Sequence, residues 1–135
     1  MDFYLEPGNS YKRLEEEFIK YGRLIFCVDF DDTIYDFHKK GRTYEQVINL
    51  LKRWEKYSDI IIWTGNGPDK HDFIMDYVKN HGINNCIGVN CDSSVPVDGK
   101  KVYANVYIDD RAGLAQVYHE LAVLITKIEN GDIVR

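Results

Sequence analysis

The sequence predicts a single α/β domain on a doubly wound parallel sheet, and three observations carry that expectation. Apolar runs without polar alternation recur, Leu24-Ile25-Phe26-Cys27-Val28 and Ile60-Ile61-Ile62-Trp63 being the clearest. Such runs suit strands covered on both faces, as in parallel sheets. Segments with helical apolar spacing separate them, and alternating strands and helices imply βαβ crossovers. Finally, three of the four candidate strands run into polar residues, which is where ligands collect in open α/β sheets.

Taken in order, Tyr11 to Lys20 reads as an amphipathic helix capped by Ser10, with Leu14, Phe18 and Ile19 opposite Glu15, Glu16 and Glu17. Gly22 ends it, and Leu24 to Val28 forms the first strand. After an irregular stretch, Thr43 caps a helix to Tyr57 with Val47, Ile48, Leu50, Leu51 and Trp54 at helical spacing. Ile60 to Trp63 is the second strand. Pro68 opens a helix that reaches His81 and stops at Gly82. Cys86 to Val89 makes a weaker third strand, Val102 to Ile108 a fourth, and Ala112 to Glu129 a last helix stopped near Asn130-Gly131. No repeat, linker or low-complexity stretch divides the chain, so residues 1–135 read as one domain.

The composition, 44% hydrophobic and 29% charged, is that of a globular chain and excludes a disordered one. A net charge of −5 argues against a dedicated nucleic-acid binder, which carries a basic footprint. Cys27, Cys86 and Cys91 are odd in number and form no CxxC pair. A disulfide framework or zinc site is thus disfavoured, and a reducing, cytoplasmic setting is expected. Met1 to Ser10 has acidic residues and no apolar run, unlike a secretory signal, and no stretch has the length of a membrane span.

The strand ends carry the chemistry. The first runs into Asp29-Phe30-Asp31-Asp32-Thr33, the second into Thr64-Gly65-Asn66, and the fourth into Asp109-Asp110-Arg111, with Lys101 just before it. Two carboxylates about 4 Å apart repel by roughly 4 kcal/mol at an effective dielectric of about 20. Gathering Asp29, Asp31, Asp109 and Asp110 is tolerable when a cation sits among them or some acids stay protonated. Hard oxygen ligands favour Mg2+. Thr64 offers a hydroxyl and Lys101 a positive charge to a bound phosphate, and the Gly65-Asn66-Gly67 turn brings backbone N–H groups near it. Such parts make a phosphoryl-transfer site.

An apolar strand, Asp-x-Asp-x-Thr, a strand ending in Thr, a Lys, and a strand ending in Asp-Asp, in that order from Leu24 to about Leu121, resemble the haloacid dehalogenase (HAD) superfamily. The resemblance implies a Rossmann-like three-layer fold and a magnesium-dependent phosphatase. It makes Asp29 the nucleophile and Asp31 the general acid/base. Thr64, with Gly65 and Asn66, and Lys101 would hold the phosphoryl group, and Asp110 with Asp109 would complete the metal site. Asp32 stands where members often have Gly. Lys100 adjoins Lys101, so both remain candidates for the basic residue. Most substrate-selective members carry a cap domain; here neither interval between motifs has room for one. A capless site is open, which suits a large substrate or closure by a second subunit in a homo-oligomer.

The substrate expected is a phosphorylated small molecule or a nucleotide, with no membrane partner. A nucleic-acid end is the alternative, because His38, Lys39, Lys40 and Arg42 put positive charge in the loop after the first motif. A signalling receiver domain gathers similar residues but carries its lone phospho-acceptor Asp on a middle strand, where this chain has Thr64. Tyr35 and Tyr44 are read as packing residues with the capacity to stack a nucleobase.

Overall fold

The centre of the molecule is β1 (Leu24–Asp29), whose first five residues are buried. In this computed structural model, which describes residues 1–134, β1 lies between β2 (Ser58–Trp63) and β4 (Val106–Ile108), and β2 pairs outward with β3 (Cys86–Val89). The sheet is four-stranded, in the order β3-β2-β1-β4, and every pairing is parallel. Phe26 faces Ile60 on one side and Val106 on the other, and Val28 likewise faces Ile62 and Ile108. This register brings Asp29 level with Trp63 at the end of β2 and next to the residues that follow Ile108. The carboxyl ends that carry the candidate chemistry thus share one edge of the sheet.

Parallel neighbours need crossover connections. α2 (Glu45–Arg53) links β1 to β2, and α3 (His71–Asn80) links β2 to β3. α1 (Asn9–Tyr21) precedes the sheet and α4 (Leu114–Glu129) follows it. Alternation along each strand sends Leu24, Phe26 and Val28 to one face and Ile25 and Cys27 to the other. The first set joins Leu14 and Phe18 of α1, Leu50 and Leu51 of α2, Ile74 and Val78 of α3, and Leu121, Leu124 and Ile125 of α4 in one large core. Trp54 is its keystone, fully buried, with its ring edge-on to Phe18 and Phe26 and its Nε1–H donating to the Leu121 carbonyl at 3.2 Å.

The strand order reverses between β1 and β4, as in a doubly wound sheet, but the opposite face is covered by a loop segment in place of a helix layer. Ile25, Cys27 and Ile61 pack there against Val102, Cys91, Ala104 and Tyr107, and no helix residue belongs to that cluster. Its cover is the extended segment 91–104, which carries the chain from β3 back across the sheet to β4. Asparagines pin both ends of the crossing. Asn90 donates its backbone N–H to the Ile62 carbonyl, and Asn105 Oδ1 accepts from the Ile25 N–H at 2.6 Å. Among the described residues no helix is long and apolar enough to cross a membrane.

Several element boundaries depart from the sequence expectation, each for a local reason. Ser10 does not cap α1; Gly8, at φ 92°, turns the chain into the helix, and Ser10 instead donates to Glu120 on α4 at 2.6 Å. Thr43 does not cap α2, because Tyr44 in the left-handed region precedes Glu45. The helix also ends at Arg53, and a 3-10 turn, Glu55–Tyr57, leads into β2. Pro68–Lys70 is likewise a 3-10 turn ahead of α3. The fourth strand shrinks to Val106–Ile108, since the Tyr107 hydroxyl donates back to the Val102 carbonyl at 2.6 Å and keeps that stretch folded over the sheet.

Candidate active site

Asp29 is the last residue of β1 and is half-buried. The chain beyond it closes at once into a tight turn, in which the Phe30 carbonyl accepts from the backbone N–H groups of Thr33, Ile34 and Tyr35. That turn buries Thr33 completely and aims its hydroxyl back at Asp29, 3.0 Å from Oδ2. The same Thr33 Oγ1 lies 3.2 Å from Asp110 Oδ1 and accepts from the Asp110 backbone N–H at 3.0 Å. One hydroxyl therefore ties the end of β1 to the loop after β4. Asp32 takes φ 61°, the left-handed conformation in which a β-carbon is strained and glycine is at ease. Its carboxylate is held by His38 Nδ1 at 2.9 Å and by the Tyr44 hydroxyl at 3.3 Å.

Carboxylate oxygens of Asp29, Asp109 and Asp110 all lie within 4.8 Å of one another. Burial raises the Asp29 carboxyl to about 7, helped by a hydrogen bond shared with Asp110 and by the charges of Asp109 and Asp110, and opposed by the Thr33 hydroxyl. A proton or a cation is what such a group calls for. Three hard oxygen donors, partly open to solvent, fit Mg2+, which retains several waters.

Asp31, expected among the cation ligands, stands outside this trio. The turn after Asp29 swings it toward the second strand end, where Asn66 Nδ2 donates to Asp31 Oδ2 at 3.3 Å. Its other oxygen, Oδ1, is buried without a hydrogen-bond partner among the described residues. Burial raises the Asp31 carboxyl above the ordinary carboxylate range, with the Asn66 bond opposing and the charges of Asp32 and Asp110 adding. A carboxyl that is costly to ionise and has an unpaired oxygen is placed to carry a proton.

Thr64 follows β2 and is buried. Its hydroxyl oxygen accepts from Asn66 twice, from the backbone N–H at 3.1 Å and from Nδ2 at 2.9 Å. Its own hydrogen is thereby left to donate outward. Gly65 makes the turn between them, with open space where a β-carbon would sit. Asn90 was not singled out from the sequence, yet it fixes this strand end. Its Oδ1 accepts from the Thr64 N–H and its Nδ2 donates to the Thr64 carbonyl, both at 2.8 Å. The available signal was an Asn directly after a strand, at a position that takes φ 52°.

Lys101 is not brought to the carboxylates. It is exposed, its ammonium sits 5.0 Å from the centre of the Tyr107 ring, and neither it nor Lys100 forms an ion pair among the described residues. The spacing between Lys101 and Asp109 implied proximity only if the intervening chain were strand, and residues 102–105 are not. The basic loop also divides. His38 pairs with Asp32, and the backbone N–H groups of Lys40, Gly41 and Arg42 all donate to the Asp36 carboxylate. Cys27, two residues before Asp29, faces the loop-covered side, where burial pushes its thiol up to about 11 and removes it as a nucleophile near neutrality.

The structure thus joins Asp29, Asp109 and Asp110 through Thr33, and Asp31 to Thr64 through Asn66. Compared with protein-family models, with curated proteins and with solved structures, the chain matches none.

Proposed function

We propose that this chain is a magnesium-dependent phosphomonoester hydrolase of the haloacid dehalogenase kind, working through a phosphoryl-aspartate on Asp29. The observation that carries the reading is the division of labour between two acids on one turn: Asp29 sits in a carboxylate trio, while Asp31 stands apart on Asn66 with a buried, unpartnered oxygen. A lone acidic cluster is ordinary surface chemistry. A cluster beside a separately held proton carrier and an outward hydroxyl, all at the carboxyl edge of a parallel sheet, is an arrangement for phosphoryl transfer.

In this scheme Asp29, Asp109 and Asp110 would hold Mg2+, which would supply positive charge against phosphate and carboxylate and favour the ionised nucleophile. An Asp29 oxygen attacks phosphorus, the bond from phosphorus to the leaving oxygen breaks, and Asp31 delivers its proton to that oxygen. Water then attacks the same phosphorus, Asp31 takes a proton from it, and the bond to Asp29 breaks to release inorganic phosphate. Thr64 donates its hydroxyl hydrogen to a phosphoryl oxygen, and the turn of Gly65 and Asn66 lies beside it. Lys101 would enter the scheme by turning from Tyr107, over whose ring its ammonium rests, toward the phosphoryl group.

The closest rival is a nucleotide or nucleic-acid end-processing phosphatase, which differs in substrate alone. A receiver-like phospho-acceptor has less support, because the second strand in chain order runs into Thr64 where a receiver's pattern would put a lone acid. A reducing, cytoplasmic setting suits three free cysteines, and an open, capless site leaves room for a second subunit. The deciding experiment is intact-mass measurement after mixing with an activated aryl phosphate and magnesium. The unmodified chain turns over without lasting label, Asp31→Asn accumulates a phosphoryl adduct, and Asp29→Asn forms none. A long-lived adduct on the unmodified chain would mark a receiver instead, and turnover by Asp29→Asn would remove the proposed nucleophile.

A further inference from the structure

Beyond Asp31 and away from the carboxylate trio lies a groove of about 440 Å³, lined by Phe30, Tyr35, Phe37, Lys39, Asn66, Asp69, Lys70 and Phe73 together with Asp31 itself. We infer that this groove receives the nucleoside of a nucleoside monophosphate, stacking its base on the aromatic wall. The inference rests on the phosphatase reading above for its orientation: the group that protonates the leaving oxygen is Asp31, so whatever the leaving oxygen carries lies on the Asp31 side. Asp31 and Asn66 belong to both the site and the groove.

One side of the groove is built from a stacked aromatic pair with a third ring set edge-on to it. Phe30 and Tyr35 are stacked, with centroids 4.9 Å apart and planes within 11° of parallel. Tyr77 and Phe73 brace Tyr35 edge-on, at 5.1 and 5.6 Å. Buried aromatics need no further explanation, but two rings here are exposed: Phe73 at 48% and Phe37 at 52%. Two apolar rings on the rim of one groove, backed by a locked aromatic cluster, are placed for a ligand with a π-face. A sugar phosphate has no such face; a nucleobase has two.

The charges in the groove select among nucleotides. Lys39 lies 6.0 Å from the Tyr35 centroid, and neither Lys39 nor Lys70 forms an ion pair among the described residues. With Asp69 and Asn66 they offer donors and acceptors to the polar edge of a base. They do not make a track for a polyanion, because Lys40 and Arg42 do not line the groove and the chain carries a net charge of −5. The volume falls within the range of roughly 300–1,000 Å³ usual for small-molecule sites. One nucleoside, and not a nucleic-acid strand, is the occupant.

The test compares adenosine 5′-monophosphate with ribose 5-phosphate, which keeps the sugar and phosphate and lacks the base. The full chain should prefer the nucleotide in kcat/KM by about tenfold or more, the scale of one stacked base. Phe73→Ala should collapse that preference and Phe73→Trp should keep it, with melting curves confirming that both variants are folded. No preference in the unmodified chain, or equal loss on both substrates in Phe73→Ala, overturns the inference. So does a phosphorylated oligonucleotide that outcompetes the mononucleotide. If no phosphomonoester is hydrolysed, the phosphatase reading fails and the groove is judged alone by calorimetry with adenosine 5′-monophosphate. Saturable binding lost in Phe73→Ala supports the groove, and absence of binding overturns it.

Discussion

Thr33 and Asp110 are 77 residues apart in sequence, and the backbone N–H of Asp110 donates to the Thr33 hydroxyl oxygen at 3.0 Å. This bond sets where the loop after β4 meets β1. Thr33→Val keeps the shape and deletes the acceptor, stranding the Asp110 N–H next to a fully buried side chain. The expected cost is about 1–3 kcal/mol in denaturant unfolding, since leaving one partner unsatisfied costs more than the bond itself contributes. Thr33→Ser should recover most of it. Equal stability of the valine and serine variants would show that the bond does not hold the loop.

A second prediction concerns pH in chelator-treated protein. The Asp29 carboxyl releases its proton near 3.8 in an unfolded chain and at about 7 in the native one. Between those values the native state binds the extra proton. The contribution to stability is therefore complete below 3.8 and lost as pH rises to about 7. Asp29→Asn should flatten this part of the stability profile and exceed the unmodified chain on the alkaline side. Urea unfolding at a series of pH values reads the slope directly.

Magnesium should act in the opposite direction, because a cation favours the ionised carboxyl. A ligand that binds only the native state raises stability by about 2.7 kcal/mol at a hundred times its dissociation constant. The melting temperature of the unmodified chain should climb with magnesium concentration, and that of Asp110→Asn should not. A full response in the variant would move the cation away from the trio of Asp29, Asp109 and Asp110.

Asn90 offers a fourth test. Its side chain holds both backbone polar groups of Thr64, and its φ of 52° suits glycine. Asn90→Gly removes the two bonds without backbone strain, so a loss of about 1–3 kcal/mol and a fall in kcat/KM for a phosphomonoester are expected. Asn90→Ala should cost more, by the strain of a β-carbon in the left-handed region. Unfolding curves separate the two contributions, and kinetics show whether Thr64 depends on Asn90 for its position.

What could be read in advance follows from the range over which each signal acts. β1 and β2 were legible because five and four successive apolar residues leave no polar face. Asp29, Asp31, Thr64 and Asn66 were legible because they sit directly at those strand ends. Helix starts were misplaced where left-handed residues, Gly8, Tyr44 and Gly113, set the entry, since backbone angle outweighed the usual preference for a Ser or Thr cap. Val102 and Tyr103 resemble strand because they are apolar, yet Val102 is buried on a loop and Tyr103 is exposed there. Lys101 shares that stretch and rests over Tyr107. The roles of Thr33 and Asn90 depend on partners 77 and 26 residues away, which local pattern does not reveal.

The shortness of β4 has a dynamic consequence. Three residues pair it to β1, and no strand borders its outer side. Asn105, just before β4, is tied to Ile25 by its backbone N–H and its side-chain Oδ1 across 80 residues, so this edge closes a long loop of the chain. Edges of this kind open at lower free energy than the rest of a domain. An opening of β4 would carry Asp109 and Asp110 away from Asp29 and relieve the crowding of their charges. Hydrogen exchange at Val106 to Ile108 is then a direct gauge of how often the carboxylate trio comes apart, and any counter-ion that settles there should slow it.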